Sequence, residues 1–157
     1  AADGAAQVTT LADAATLGLV SPRGRQAGDV DLATALQLAD ESLAGDTRNR
    51  DEAEAGFWLR KALSLSVASP QLTWAMTQLG TLYARPANGT PDYGKARLLW
   101  EMAGAGGDAT ALCFLGALHE NGLGVAKSRE KALAIYERAK SLGGCRNVDA
   151  AIARVRS

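Results

Sequence analysis

In the second half of the chain, apolar residues recur at three- and four-residue intervals. Ala111, Leu115 and Leu118 stand at i, i+4 and i+7, and Ala132, Ile135, Tyr136 and Ala139 follow the same rule. Each set lines one face of a 3.6-residue period, which predicts two amphipathic helices. The stretch Asn121-Gly122-Leu123-Gly124-Val125 separates them. Glycine accepts positive φ and ends the first helix. Ser128 then stands as N-cap of the second. Upstream, Asn88 and Gly89 supply the equivalent turn and Pro91-Asp92 opens the next helix, with Asp92 the better cap.

The hairpin is repeated. Carrying Ala75 onto Ala111 brings Leu79-Gly80 onto Leu115-Gly116, Leu82 onto Leu118 and Tyr83 onto His119. The same shift brings Lys95-Ala96 onto Lys131-Ala132, Trp100 onto Tyr136, Ala103 onto Ala139 and Gly107 onto Gly143, without a gap. A period in the mid-thirties marks stacked helical hairpins, which bury a continuous core only by lying against their neighbours. A weaker copy lies upstream: carrying Asp51 onto Asp92 places Ala55 on Ala96, Leu59 on Trp100 and Ala62 on Ala103. Its first helix, about 31–44, fits poorly, with Leu38 on Leu79 but Glu41 where Leu82 stands. The extra residues of this copy fall around Ser66–Gln71, where Ser69-Pro70 ends one helix and starts the next.

The predicted fold class is all-α: an α/α superhelical solenoid of about three antiparallel helix pairs plus a short C-terminal capping helix. Its domain runs from 31 to 157, with repeats about 31–69, 70–107 and 108–144 and a capping helix about 146–156, read from Val148–Val155. Residues 1–30 are expected to be poorly structured or loosely helical: a loose helix at 8–20, then a linker containing Pro22, Gly24 and Gly28. Gly80 and Gly116 sit mid-helix, where glycine costs about 1 kcal/mol relative to alanine. Their shared phase predicts that a side chain there would clash with the partner helix. Trp100, Tyr136 and Leu59 share another phase and read as core wedges.

The run Ala111, Leu115-Gly116, Leu118-His119, Gly122, Gly124-Val125, then Lys131-Ala132, Tyr136, Ala139 and Gly143, resembles a SEL-one-like repeat, a relative of the tetratricopeptide repeats. The middle repeat is similar, with Pro86 and Asn88 in place of the turn glycines. The last departs at His119, where the family has Tyr, and at Ser128, where it has Asp. The resemblance covers about residues 31–144. It implies an α/α solenoid that scaffolds protein complexes or signalling, often bacterial and often exported, with no catalytic residues. It also implies that the first helix of each pair lines the concave side. With the Leu-Gly pair as phase marker, the partner-binding wall would be Trp74, Thr77, Thr81 and Arg85, then Cys113, Ala117, Glu120 and Asn121. Trp74 is the favoured anchor, because Trp and Arg dominate interface energies.

Composition narrows the partners. Lys plus Arg equals Asp plus Glu, so no global basic field holds nucleic acid or an anionic membrane. The last third is mildly basic, which reads as a solvated helix face. No run of about 18 apolar residues occurs, so membrane insertion is not expected. The chain opens Ala1-Ala2-Asp3-Gly4 without Met or a signal-peptide pattern, as a processed chain or a piece of a larger scaffold would.

Catalytic, cofactor and metal sites are not expected. His119 is the one histidine, and it stands where the repeat holds a packed ring. The run Gly104-Ala105-Gly106-Gly107 follows a helix rather than a strand, so it reads as a C-terminal cap and not a phosphate cradle. Asn88-Gly89-Thr90 matches the N-glycosylation pattern weakly. Cys113 lies in the first turn of one helix and Cys145 just beyond the end of its antiparallel partner. A disulfide closing the last repeat and two unrelated thiols both fit that placement. A bridge would indicate an oxidising compartment, periplasmic or extracellular, and free thiols a cytoplasmic one. The function expected is a non-catalytic adaptor or scaffold for a protein or peptide partner, in a bacterial envelope or signalling complex. The alternative is a cell-wall glycan-binding or hydrolase-associated module, which would need exposed rings along a groove.

Overall fold

The computed structural model describes residues 20–44, 50–65, 70–87 and 89–157. The loose helix expected at 8–20 lies outside the described residues except for Val20, as do most of the Ser66–Gln71 insertion and Asn88 of the glycosylation pattern. The described residues form seven helices, and the chain divides into two compact units, Ala1–Val67 and Ala68–Ser157.

In the first unit, α1 (Leu32–Leu43) and α2 (Glu52–Ser64) pack as a hairpin. Aspartates start both. The Asp31 carboxylate accepts the Thr34 N–H and that of Asp51 accepts the Glu54 N–H, each satisfying an amide that the helix leaves unpaired. Ala35 and Ala39 of α1 are fully buried, as are Ala55, Trp58, Leu59 and Ala62 of α2. Residues 20–30 depart from the linker expected there. Val20 bridges Gln26 across a turn at Gly24, and Val20, Ser21 and Ala27 are buried. The cause is Glu54, a buried carboxylate with both oxygens occupied. Oε1 accepts the Trp58 indole N–H at 2.7 Å and Oε2 the main-chain N–H of Arg23 at 2.9 Å. The Arg23 guanidinium also pairs with Asp51 at 2.7 Å. A buried carboxylate is tolerated when its acceptors are filled, and the turn supplies one of the donors.

The second unit holds α3 (Pro70–Ala84), α4 (Tyr93–Ala105), α5 (Ala109–Asn121), α6 (Arg129–Ser141) and α7 (Val148–Arg156). Each packs on the next in chain order, so the hairpins α3–α4 and α5–α6 stack through α4 and α5, and α7 lies on α6. Asp92, Asp108 and Ser128 cap α4, α5 and α6. Gly122 ends α5 with φ at 68°, a conformation that costs glycine nothing. Trp100 and Tyr136 are each 3 % exposed, as their wedge assignment requires. A Cβ on Gly80 would stand 2.6 Å from the Trp100 indole nitrogen, and one on Gly116 2.6 Å from the Tyr136 ring. The two mid-helix glycines are therefore seats for the rings of the following helix. Val148, Ala151, Ile152 and Val155 of α7 close the core over α6.

One main-chain hydrogen bond recurs at every hairpin. The N–H of the second helix's cap donates to a carbonyl near the end of the first: Asp51 to Ser42, Asp92 to Tyr83 and Ser128 to His119. The upstream copy thus keeps the repeat register despite Glu41.

Candidate partner-binding face

The wall expected on the first helices is only partly free. Trp74, Thr81 and Ala117 are half-buried, while Arg85 and Asn121 are exposed. Thr77 corrects the expectation. It is 5 % exposed, and its hydroxyl lies 2.8 Å from Asp108 Oδ2 and 2.9 Å from the Thr73 carbonyl oxygen. Its main-chain carbonyl also accepts the Trp100 indole N–H and the Thr81 hydroxyl. It is a tie between α3, α4 and the start of α5, with no atom left for a partner.

Glu120 is the second correction. It accepts the Tyr136 hydroxyl at 2.7 Å and a bidentate pair from Arg154, Nη2 to Oε2 at 2.9 Å and Nε to Oε1. The Arg154 guanidinium, followed by the Tyr136 hydroxyl, holds the Glu120 carboxyl below its usual range. Burial, then the neighbouring carboxylate, pushes the Tyr136 phenol up, so it stays a donor. Glu120 is a clamp joining α5, α6 and α7. Arg129 adds to it by donating to the main-chain oxygens of Arg154 and Ser157.

Cys113 and Cys145 are joined by a disulfide. The bridge pins the second turn of α5 to the α6–α7 connection. It forms part of an open cleft of about 360 Å³ between α5 and α7, with Tyr136 at its base. Phe114 and Ala151 supply apolar wall, and Arg146, Asn147 and Thr110 stand around it. Phe114 packs tilted on Trp100 with centroids 5.1 Å apart, and the Arg85 guanidinium lies 5.8 Å from the Phe114 ring centroid. Sequence reasoning missed both Phe114 and Arg146. Phe114 lay next to a residue on the expected wall, and Arg146 next to a cysteine of the bridge.

His119 is half-buried with Nδ1 lacking a hydrogen-bond partner. Burial first, then the nearby Lys131 charge, lowers its pKa, so the ring is neutral at physiological pH. Among the described residues, no group of three or more His, Cys, Asp or Glu side chains could hold a metal ion. Among them, too, no helix is long and apolar enough to cross a membrane.

A stack of paired helices with rings seated on mid-helix glycines defines the class: an α/α helical-repeat protein. The chain belongs to the Sel1 repeat family, whose model matches residues 33–67, 75–108 and 109–144. Two solved structures share the fold. A Sel1 repeat protein from Oxalobacter formigenes is 27 % identical with a TM-score of 0.61, the match covering 92 % of this chain and 95 % of that one. A protective antigen of uropathogenic Escherichia coli with an SLR fold is 20 % identical with a TM-score of 0.68 over 92 % of this chain. The match covers 27 % of that antigen's length. No curated protein matches the sequence. Sel1 repeats are generally protein–protein interaction modules.

Proposed function

We propose that this chain is a non-catalytic adaptor that holds a protein partner in the cleft between α5 and α7, in an oxidising compartment such as the periplasm or outside the cell. The observation that carries the reading is the cleft itself. It is open and mainly apolar, is walled by Phe114 and Ala151, and is braced by a disulfide and the Glu120–Arg154 clamp. A rigid concave apolar surface with a few polar groups at its edge suits capture of a partner side chain. The residues around it, Thr110, Tyr136, Asn147 and the two arginines, include no nucleophile paired with a base. Glycan capture is the weaker reading, because Trp100 and Tyr136 are buried and Trp74 and Phe114 half-buried, which leaves no row of open rings.

A photo-crosslinking residue placed at Thr110 or Asn147, in cells of the source organism, should yield a discrete protein adduct. The same residue at exposed Ala134 on α6, outside the cleft, should not. Adducts from Ala134 alone would overturn the reading. The compartment is tested by counting thiols in protein isolated without reductant: none supports export, and two contradict it.

A further inference from the structure

We propose that the cleft selects an acidic segment of its partner, seating one apolar side chain against Phe114 and Ala151 and pairing flanking carboxylates with Arg146 and Arg85. This inference rests on the cleft being the partner site and adds the chemistry of what enters it.

The charges around the cleft do not balance. Four charged side chains stand at or beside the cleft: Arg85, Arg146, Arg154 and Glu120. Arg154 and Glu120 neutralise each other in a bidentate pair. Two further carboxylates are taken up elsewhere: Asp108 by the Thr77 hydroxyl and the Ala111 amide it caps, and Asp149 by Lys140 at 2.7 Å. Among the described residues, two arginines therefore remain without a carboxylate. Arg146 is exposed on the connection that follows Cys145 and makes no ion pair among the described residues. Arg85 is exposed just beyond the end of α3, and its guanidinium lies over the face of the Phe114 ring.

The surroundings extend the same sign. In the hollow beside the clamp Arg154 and Glu120 again cancel, and Lys127 and Arg129 remain. A chain whose totals cancel thus concentrates unpaired positive charge around one apolar depression. The depression accepts a side chain of leucine or phenylalanine size, because its wall is a ring, a methyl group and a disulfide, none of which asks for a hydrogen bond. Arginine at its edges favours carboxylates, which its planar fork can engage in pairs. A phosphate-tracking reading fits less well. Nucleic acid would need a row of such contacts and bases stacked on open rings, and Phe114 is half-buried against Trp100.

The test is panning of a random short-peptide display library on the disulfide-intact protein. Enriched peptides are then made with a fluorescent label and titrated by anisotropy. The proposal expects enriched sequences with aspartate or glutamate around one apolar residue. Their affinity should fall about five- to tenfold for Arg146→Glu, a charge reversal at an exposed pair. Arg85→Glu should act the same way, and added salt should weaken binding to the wild type. Both substitutions are at exposed positions, and unchanged far-UV spectra would show that the fold survives. Thr110→Trp, which plugs the cleft from an exposed position, should abolish binding. Enriched sequences that are neutral or basic, yet lost on Thr110→Trp, would overturn the acidic selection and leave the adaptor reading standing. Acidic peptides indifferent to all three substitutions would overturn the cleft as their site. Displacement of the peptides by a single-stranded oligonucleotide at comparable concentration would also overturn the proposal.

Discussion

Replacing Gly116 with alanine sets two effects of opposite sign against each other. In the middle of α5 the substitution should favour the helix by about 1 kcal/mol, because glycine loses more backbone freedom on folding. The packing says otherwise. The new Cβ would meet Tyr136 Cε1 at 2.6 Å and Cδ1 at 2.8 Å, separations that real Cβ atoms essentially never show, and Cζ at 3.0 Å. The ring cannot step aside freely. It is 3 % exposed, and its hydroxyl is held by Glu120 at 2.7 Å. Overpacking of a tight core costs about 1–3 kcal/mol, and a hydrogen bond to a charged group is worth about 1.5–3 kcal/mol if broken. The clash outweighs the propensity gain, and Gly116→Ala should destabilise the protein by about 1–2 kcal/mol. Gly56→Ala in α2 is the control. Its Cβ would meet only the guanidinium end of exposed Arg60, at 3.2 Å, so it should be neutral or stabilising by up to about 1 kcal/mol. Urea denaturation followed by far-UV circular dichroism reads both. A Tyr136→Leu background should remove most of the Gly116→Ala penalty, as a double-mutant cycle would show. Gly116→Ala as stable as the wild type, or a penalty that persists without the ring, would show that Tyr136 does not require a glycine beneath it.

Three further outcomes follow from the contacts. The Cys113–Cys145 bridge spans 32 residues, so reduction should lower stability by about 3–4 kcal/mol on the loop-entropy model, read as a drop in urea midpoint with reductant; an unchanged midpoint would contradict it. Glu120 is a carboxylate whose folded pKa lies below its ordinary 4.5, so its contribution is present above that value and lost as pH falls through the folded pKa. Between neutral and acid pH the wild type should therefore lose more stability than Glu120→Gln, and equal losses would show that the clamp is not linked to folding. Glu54→Ala strips the acceptor from the Trp58 indole and the Arg23 amide, costing about 2–4 kcal/mol for two donors left without partners. Limited trypsin digestion should then cut at Arg23 and Arg25 faster than in the wild type; equal rates would mean that Glu54 does not hold the turn.

What repeats is legible in the sequence, and what occurs once is not. The register, the caps at Asp92 and Ser128, the close approach at Gly80 and Gly116 and the wedge role of Trp100 and Tyr136 could be read because the chain states each of them twice. The docking of residues 20–27 could not. It depends on a single buried carboxylate, and Glu54 in the first turn of a helix looks like any solvent-facing acid near an N-terminus. The phase of the Leu-Gly pair names the residues on one helix side but not which of its polar residues are already engaged within the fold. Thr77 finds Asp108 and Glu120 finds Arg154, partners 31 and 34 residues further along the chain. Such pairings belong to the stacking of hairpins, and no local pattern records them.

The same stacking explains why the disulfide stands where it does. Thr77 and Cys113 hold one place in consecutive repeats, the position three residues before the ring-seating glycine. In the earlier repeat that place is tied to Asp108, at the start of the next helix, by a hydrogen bond. In the later repeat it is tied by a covalent bond to Cys145, just before the start of α7. Both links hold the first helix of a pair to the segment that leaves the second. The segment that follows the covalent link is α7, a helix of nine residues. A nine-residue helix is too short to hold itself in water, so its order must come from what fastens it. Its N-cap, Asn147, makes no side-chain capping bond. The fastening comes instead from the bridge before it and from Arg154 on Glu120 near its other end. Cys113, Cys145 and Arg154 of these two fastenings also line the cleft, so what holds the proposed binding face and what holds α7 have a single physical origin.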